Sequence, residues 1–392
     1  MENFLNNLIF IIGILVLTVV LLYFILELIF TILKKIKIII LGDIPRRQDF
    51  LQKDYHKYIN WTDNWDKPIF NYFPVGLRYF NKENSIQPVK VNAQGMRTLE
   101  LSEISSTSFK IVLIGGSAAW GFGASDNSKT IAGQLEEVIK NNMKINNVQV
   151  INLAQVNQTV TQDLIELLHY LPIIKPDLVL SMNGWNELLS AMTVDENLLN
   201  KYGRFPINEL TDWSPMTANN RTYKDFMNSL KIILRKKSHL ASIFIPPNNL
   251  KLRKNLQESI KIGTPLFLNG ILQTNKLVES YGGKYFIFLQ PNIYSKLHPS
   301  KNEAKAIELY DYMRPLLGGI KAGNYLRKNN IYSEFIKTAK IKSEINLKIF
   351  DFYNLFENDK DEVFYSIVHC NDLGYRKISL KIFKEIKEYI NV

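Results

Sequence analysis

The sequence predicts a three-layer α/β/α domain, built on a five-stranded and mainly parallel sheet and preceded by one transmembrane helix. Three observations lead to this prediction. The chain begins with one long apolar segment, short apolar segments later alternate with helical periodicity, and several of these segments end in glycine or asparagine. Such alternation is typical of a parallel sheet that is covered on both faces. With 392 residues, 46% of them hydrophobic, the chain has room for one large domain or two smaller ones plus an anchor.

Residues 1–33 are the predicted transmembrane anchor. No charged residue occurs between Leu8 and Leu26, and apolar character continues after Glu27 as far as Leu33. At a rise of ~1.5 Å per residue, such a helix is long enough to cross a bilayer core of ~30 Å. The segment lacks the basic start and the small-residue cleavage site of a secretory signal, so we expect it to remain attached.

Basic residues near the anchor bear on its orientation. No lysine or arginine precedes the anchor, and the residues that follow it include Lys34, Lys35, Lys37, Arg46 and Arg47. The positive-inside rule then places the N-terminus outside and the domain in the cytoplasm. The sequence therefore favours a single-pass membrane protein with a cytoplasmic domain, and the extracytoplasmic side stays open.

Residues 34–108 are predicted to be a juxtamembrane linker and lead-in, because residues 43–108 are rich in aromatics, proline and asparagine but show little periodicity. From residue 109 onward, short apolar segments indicate buried strands. Two helices between them are predicted from apolar faces, one formed by Ile131, Leu135, Val138 and Ile139 and the other by Leu164, Ile165 and Leu168. The five predicted strands are Ile111–Ile114, Val148–Leu153, Leu178–Met182, Tyr285–Leu289 and Leu347–Phe352.

A long insertion is predicted around residues 187–270 of this 109–392 domain. It contains a predicted helix, Tyr223–Leu234, followed by the basic stretch Arg235–Lys237. Two interpretations stay open. The insertion could cover the site and determine which substrate binds, or its role could be purely structural.

Composition excludes several classes of function. A single cysteine, Cys370, allows no intramolecular disulfide and no cysteine-based zinc cluster. The five histidines are scattered without HExxH spacing, so we expect neither a metal nor a cofactor. The net charge of +11 comes from lysines spread along the chain, with no nucleic-acid-binding motif, so we expect no nucleic-acid partner. The oligomeric state stays open.

Polar residues follow three of the predicted strands directly. The segment Gly115–Gly123 places Ser117 after the first strand, Asn152–Asn157 follows the second, and Asn183–Glu187 follows the third. A fourth segment, His369–Gly374, precedes the last predicted helix. Ligands of open parallel sheets bind at the carboxyl ends of the strands, so these residues are the candidates for chemistry.

These four segments, in this order and spacing, resemble the SGNH/GDSL hydrolase family, which is named for Ser, Gly, Asn and His in four separate blocks. The resemblance covers about Lys110 to the C-terminus, and Asn92–Arg97 is similar to the Asn-x-x-Gly-x-Arg segment of many bacterial members. It implies a flavodoxin-like domain and serine-based ester hydrolysis. Many relatives with one N-terminal anchor work outside the cytoplasm, so the resemblance favours the opposite membrane side from the charge rule.

The resemblance also implies the role of each site residue. Ser117 would be the nucleophile, and His369 the base that takes its proton, since imidazole suits this task near neutral pH. The oxyanion hole would consist of the backbone N–H groups of Ser117 and Asn157 and the side chain of Asn186.

Two positions depart from the family pattern. Asn157 stands where the second block has glycine, although asparagine tolerates left-handed backbone better than most residues. Ser366 stands three residues before His369, where the family has the aspartate that orients the histidine. Ser366 is thus a possible orienter, and other acids that could substitute are Asp361, Glu362 and Asp372, the last of which is also predicted to cap the final helix.

The sequence therefore predicts a membrane-anchored serine esterase that hydrolyses an acyl ester, such as an acetyl ester, of a carbohydrate or lipid. An acyltransferase acting on a glycan uses the same chemistry and stays open. A catalytically weak family member that binds a glycan or a protein partner is the alternative from a different class, and Ser366 and Asn157 motivate it.

Overall fold

The computed structural model describes residues 2–41, 70–72, 78–80, 89–193, 256–313, 326–342 and 347–390 of the chain. The N-terminal helix belongs to one compact unit and the α/β domain to another. The predicted helix Tyr223–Leu234 and the basic stretch Arg235–Lys237 lie outside the described residues.

The N-terminal helix, α1, runs from Glu2 to Leu41. Its segment Asn6–Leu33 contains an 18-residue window with a mean hydropathy of 3.2, none of it buried. Two hydroxyls within it bond to backbone carbonyls one turn earlier, Thr18 to Ile14 and Thr31 to Glu27, both at 2.8 Å. The helix has the length and composition of a membrane span, and a signal sequence has the same properties.

The sheet of the α/β domain confirms the predicted fold class. Its five strands are all parallel and lie in the order β4-β3-β5-β6-β7, which is the flavodoxin-like order. Each strand overlaps one of the five predicted strands. The strands are β3 (Phe109–Gly115), β4 (Val148–Asn152), β5 (Leu178–Asn183), β6 (Lys284–Leu289) and β7 (Lys348–Asp351), preceded by an antiparallel hairpin of β1 (Phe70–Tyr72) and β2 (Arg78–Phe80).

The hairpin falls inside the predicted linker and was not expected. Each of its strands has three residues, which is too short for alternation of apolar and polar residues to be recognised. The lead-in further along also contributes to the domain, because Val89, Val91 and Met96 are buried in its core.

Helices cover both faces of the sheet. The helices are α2 (Ser117–Trp120), α3 (Ile131–Met143), α4 (Val160–Ile174), α5 (Trp185–Thr193), α6 (Leu256–Ser280), α7 (Lys301–Met313), α8 (Ile331–Lys342) and α9 (Asp372–Ile386). On one face α3 packs against α9, and on the other α6 packs against α4, α5 and α8. The ends of the predicted insertion belong to α5 and α6, so residues 194–255 are the part of it that lies outside the described residues.

The predicted apolar face of α4 was wrong, although the helix itself is present. Leu168 is 56% exposed, whereas Asp163 and Glu166 are fully buried beside Leu167. The inward face carries carboxylates because one of them bonds to the end of a neighbouring strand: Asn183 donates its side-chain amide to Asp163 at 2.6 Å. Sequence periodicity counts apolar residues, so it selects the wrong face when polar groups are buried in a hydrogen-bonded network.

Candidate active site

Ser117 lies directly after the buried strand β3, at the first residue of the short helix α2. Two glycines precede it where the chain has no room for a side chain. A Cβ at Gly115, which has a φ of +132°, would lie 2.4 Å from the carbonyl oxygen of Met182, and one at Gly116 would lie 2.3 Å from Nδ2 of Asn186. The serine therefore begins a turn in which the ends of β3 and β5 approach closely.

Arg97, from the lead-in, supports the loop that follows Ser117. Its guanidinium is buried and donates to the carbonyl oxygens of Gly121 at 2.6 Å and Ala124 at 3.4 Å. It also lies 4.7 Å from the ring centroid of Trp120. The segment that resembles Asn-x-x-Gly-x-Arg thus contributes a structural cation to the site.

His369 is held in a tight loop, residues 363–371, which we call the histidine loop. An isolated antiparallel bridge joins Phe364 to Cys370, and Asn371 N–H donates to the carbonyl oxygen of Val363 at 3.0 Å. Within the loop, the N–H of Tyr365 donates to the carbonyl oxygen of His369 at 2.8 Å. These bonds fix the backbone of the histidine on both sides.

Three side chains form a continuous row across this loop. Ser117 Oγ lies 2.7 Å from Nε2 of His369, and Ser366 Oγ lies 2.7 Å from Nδ1 of the same ring. The imidazole also packs against Phe122, with the ring centroids 4.7 Å apart. The structure therefore brings the predicted nucleophile, base and orienter together, with Ser117 only 8% exposed.

The carboxylates considered as substitutes for an orienting aspartate are engaged elsewhere. Asp361 accepts from Lys377 at 2.7 Å, and Glu362 accepts from the hydroxyl of Ser300 at 2.7 Å. Asp372 accepts from the backbone N–H of Ser125 at 2.7 Å and from its hydroxyl at 2.5 Å. The hydroxyl of Ser366 takes the orienting position instead.

The predicted cap of the final helix was also wrong by one residue. Asn371 is the N-cap of α9, since its side chain accepts from the N–H of Gly374 at 2.9 Å. Asp372 is the first helical residue, and its carboxylate points to the loop after Ser117. Both residue types suit an N-cap, so sequence alone does not distinguish two adjacent candidates.

Asn157 and Asn186, the other two predicted oxyanion donors, follow β4 and β5, the two strands that flank β3. Asn157 has a φ of +63°, the left-handed backbone that the second-block glycine would adopt without strain. Asn186 donates one amide hydrogen to the carbonyl oxygen of Gln158 at 2.7 Å and contacts the glycine before Ser117. An amide nitrogen carries two hydrogens, so this anchor leaves Asn186 a second donor.

A buried carboxylate links these loops; the sequence placed it in the third candidate segment but assigned it no role. Glu187 accepts from the N–H of Val160 at 2.8 Å and from the N–H of Gly184 at 2.7 Å. Burial raises the pKa of Glu187 to about 7. Burial likewise raises the pKa of Asp163 well above its usual range, and the nearby charges of Glu187 and Glu166 add to this effect. An acid within an otherwise apolar helix was the signal available in the sequence.

No protein-family model and no curated protein matches the chain. Several solved structures are similar in fold. One is the lipase Lip_vut3 from a goat rumen metagenome, with 14% identity, a TM-score of 0.39, and 71% of this chain and 97% of that chain covered. Another is a lipase/acylhydrolase from Enterococcus faecalis, with 16% identity, a TM-score of 0.33, and 72% of this chain and 97% of that chain covered. A GDSL-like lipase from Bacteroides thetaiotaomicron is also similar, with 11% identity, a TM-score of 0.34, and 72% of this chain and 89% of that chain covered. Likenesses of this size concern the arrangement of strands and helices, and the chemistry rests on the residues of the site.

Proposed function

We propose that this chain is a membrane-anchored serine esterase that uses Ser117 as nucleophile and His369 as base. The observation that carries the proposal is the row of Ser117, His369 and Ser366, with 2.7 Å on either side of the imidazole. A nucleophile within hydrogen-bond reach of a base that is itself oriented by a third group is the arrangement that covalent catalysis requires.

The geometry supports the following sequence of steps. With a proton on Nδ1 bonded to Ser366, the lone pair of Nε2 takes the proton of Ser117 as the serine oxygen attacks the ester carbonyl. The resulting imidazolium gives this proton to the leaving alcohol, and an acyl group remains on Ser117. Water then attacks the acyl-serine with His369 again as base, which releases the acid and restores the serine.

Negative charge develops on the carbonyl oxygen in both attacks. The donors that we assign to it are the N–H groups of Ser117 and Asn157 and the second amide hydrogen of Asn186. Preorganised donors of this kind stabilise the transition state more than the bound ester, so they act chiefly on turnover.

The proposed substrate is an acyl ester, such as an acetyl ester, of a carbohydrate or lipid. The anchor α1 would hold the domain close to a membrane surface, with the domain in the cytoplasm by the positive-inside rule. If an alcohol of a glycan outcompeted water for the acyl-serine, the same steps would make the protein an acyltransferase.

Ser366 favours one second candidate, a glycan-binding or partner-binding protein with low turnover. A neutral hydroxyl orients the imidazole but does not stabilise its positive charge as a carboxylate does, and in a serine protease replacing the carboxylate by its amide costs about 10⁴-fold in turnover.

The test is hydrolysis of a short-chain aryl ester by the full-length protein in detergent micelles. We expect Ser117→Ala and His369→Ala each to abolish activity. The controls are Ser280→Ala and His169→Ala, which change an exposed serine at the end of α6 and an exposed histidine on α4. Activity that survives in Ser117→Ala would contradict the esterase, and a wild-type rate equal to that of Ser117→Ala would favour the binding protein.

A further inference from the structure

A fully buried ion pair lies beneath the histidine loop. Lys296 Nζ is 2.9 Å from Oε1 and 2.7 Å from Oε2 of Glu303, and both side chains have an exposure of 0%. Glu303 belongs to the first turn of α7, and Lys296 directly follows a short 3₁₀ helix after β6. Neither residue takes part in the chemistry proposed above.

Both members of the pair bind the backbone at the start of the histidine loop. Oε1 of Glu303 accepts from the N–H of Val363 and from the N–H of Phe364, each at 3.0 Å. The ammonium of Lys296 donates to the carbonyl oxygen of Asp361. One carboxylate therefore fixes the first two peptide N–H groups of the loop, and its counterion fixes the residues just before them.

The far side of the loop is fixed to the segment after β6. Gln290 donates its side-chain amide to the carbonyl oxygen of Val368 at 2.9 Å, and Ile293 N–H donates to the carbonyl oxygen of Ile367 at 2.9 Å. Lys296 lies three residues after Ile293. The ion pair and the segment after β6 thus form one connected set of contacts that holds the backbone of the histidine loop at both ends.

This support matters because the group at position 366 is a hydroxyl. A carboxylate there would hold the imidazole by a charge-assisted hydrogen bond, which is roughly twice as strong as a neutral one. With Ser366, the orientation of His369 toward Ser117 depends more on the backbone that carries both residues. We propose that the Lys296–Glu303 pair positions His369 by holding the backbone of its loop. The pair thereby supplies much of the orientation that an aspartate at position 366 would give through its hydrogen bond; this inference rests on the proposed esterase.

Glu303 also has a local structural role, since its Oε2 accepts from the N–H of Ser300 at 2.7 Å, but that role does not require Lys296. Burying two charges costs desolvation, and well-packed apolar residues often stabilise a protein as much as a buried ion pair does. What the apolar alternative lacks is an acceptor for the N–H groups of Val363 and Phe364. The ion pair supplies that acceptor in a fixed place.

The experiment compares kcat and KM of the full-length protein with those of Glu303→Gln. The amide keeps an acceptor oxygen, but it leaves the buried Lys296 ammonium without its counterion, so the support of the histidine loop is disturbed. Because misplacing a catalytic group by about 1 Å costs on the order of 10²-fold, we expect kcat to fall by about that factor with little change in KM. Lys296→Met/Glu303→Met removes both charges and the acceptor, and it replaces Glu303→Gln if that variant does not fold. The matched control is Lys377→Gln. It removes surface ion pairs with Asp359 and Asp361, which lie just before the histidine loop, and it should leave kcat unchanged.

Adding Ser366→Asp separates positioning from folding. If the pair acts by orienting His369, a carboxylate at position 366 should restore kcat in the Glu303→Gln background by a larger factor than it raises kcat in the wild type. Equal factors in the two backgrounds would overturn the proposal, as would a kcat that falls only in proportion to the folded fraction.

A second measurement keeps the two proposals distinguishable. In protein labelled with ¹³C-histidine, the NMR signal of the His369 ring is identified as the one that His369→Ala removes. The pH midpoint of its titration can then be followed without substrate. We expect this midpoint to move in Glu303→Gln but not in Lys377→Gln. If the wild type hydrolyses no ester, the esterase proposal fails, and an unchanged His369 titration then overturns the positioning role on its own.

Discussion

The imidazole of His369 lies between two serine hydroxyls, and this arrangement explains what each neighbour can do. Both hydroxyl oxygens lie 2.7 Å from a ring nitrogen. In the proposed mechanism Ser117 presents a proton to Nε2, while Ser366 accepts the proton on Nδ1 and so selects the tautomer. A hydroxyl performs the second task without adding negative charge, so the imidazolium of the proposed reaction would be stabilised less than beside a carboxylate.

The first prediction concerns Ser366. We expect Ser366→Asp to raise kcat by about 10²-fold, because a carboxylate stabilises the imidazolium through a charge-assisted hydrogen bond. Steady-state kinetics on an aryl ester measure this change. Ser366→Thr is the control, because its hydroxyl can accept the Nδ1 hydrogen but brings no charge. An equal rise in Ser366→Thr would mean that geometry and not charge limits the wild type.

The second prediction concerns Asn186. Loss of one oxyanion donor lowers kcat by about 10²–10³-fold, so we expect Asn186→Ala to act on kcat and to leave KM near its original value. Asn142→Ala removes an amide that bonds to the carbonyl oxygen of Val138 on α3 and is the matched control. A changed KM at constant kcat in Asn186→Ala would assign the residue to substrate binding.

The positions of Ser117 and Asn186, two residues of the proposed site, could be predicted from sequence because they follow strands that are nearly all apolar. Ser117 and Asn186 stand out there as the polar groups after buried segments. Lys296 and Glu303 could not be found in this way, since charged residues are ordinarily interpreted as exposed. Their burial depends on partners that are distant in sequence, such as the backbone N–H of Val363.

Among the secondary-structure elements, α4 and α5 are joined by a buried carboxylate. Glu187 lies in the first turn of α5 and bonds the N–H of Val160, the first residue of α4. The loop that carries Asn157 leads directly into α4. The placement of one proposed oxyanion donor thus depends on a buried acid that belongs to another helix.

The third prediction is a pH dependence of stability. The pKa of Glu187 is raised by burial from 4.5 to about 7, so the folded protein binds more protons than the unfolded chain between these values. The free energy of unfolding then falls as pH rises from about 4.5 to about 7, and this group contributes about 3 kcal/mol of that fall. The raised pKa of Asp163 acts in the same direction.

Denaturant unfolding of the wild type and of Glu187→Gln over this pH range measures the contribution. We expect the slope to flatten in Glu187→Gln. Glu385→Gln, which removes a surface ion pair with Lys381, should keep the wild-type slope. An unchanged slope in Glu187→Gln would mean that the carboxylate stays ionised in the folded protein throughout this range.

The whole molecule combines an apolar N-terminal helix with an α/β domain that has its own core. The five-stranded parallel sheet followed from the alternation of strands and helices, and its flavodoxin-like order was an implication of the family resemblance. The hairpin of β1 and β2 and the inward face of α4 did not follow from it. Both depend on local geometry or on buried polar bonds, which hydrophobic periodicity does not detect.

The fourth prediction concerns membrane topology. A fluorescent protein fused to the C-terminus should be fluorescent, and alkaline phosphatase fused at the same place should be inactive, if the basic residues after the apolar span Asn6–Leu33 keep the domain in the cytoplasm. Replacing Lys34, Lys35 and Lys37 by glutamine should weaken this preference. An active phosphatase fusion of the unchanged chain would place the domain on the opposite side.

The single cysteine of the chain lies in the histidine loop, so its reaction with a thiol reagent can measure how often the loop opens. Cys370 follows His369 directly, is 2% exposed, and has a thiol whose pKa is raised by burial. A disulfide reagent in solution can react with it only when the loop opens and the thiol ionises. We expect the trapping rate to be far below that of the unfolded chain, and the ratio of the two rates gives the free energy of loop opening without any substrate. A rate equal to that of the unfolded chain would mean that the loop is open for most of the time.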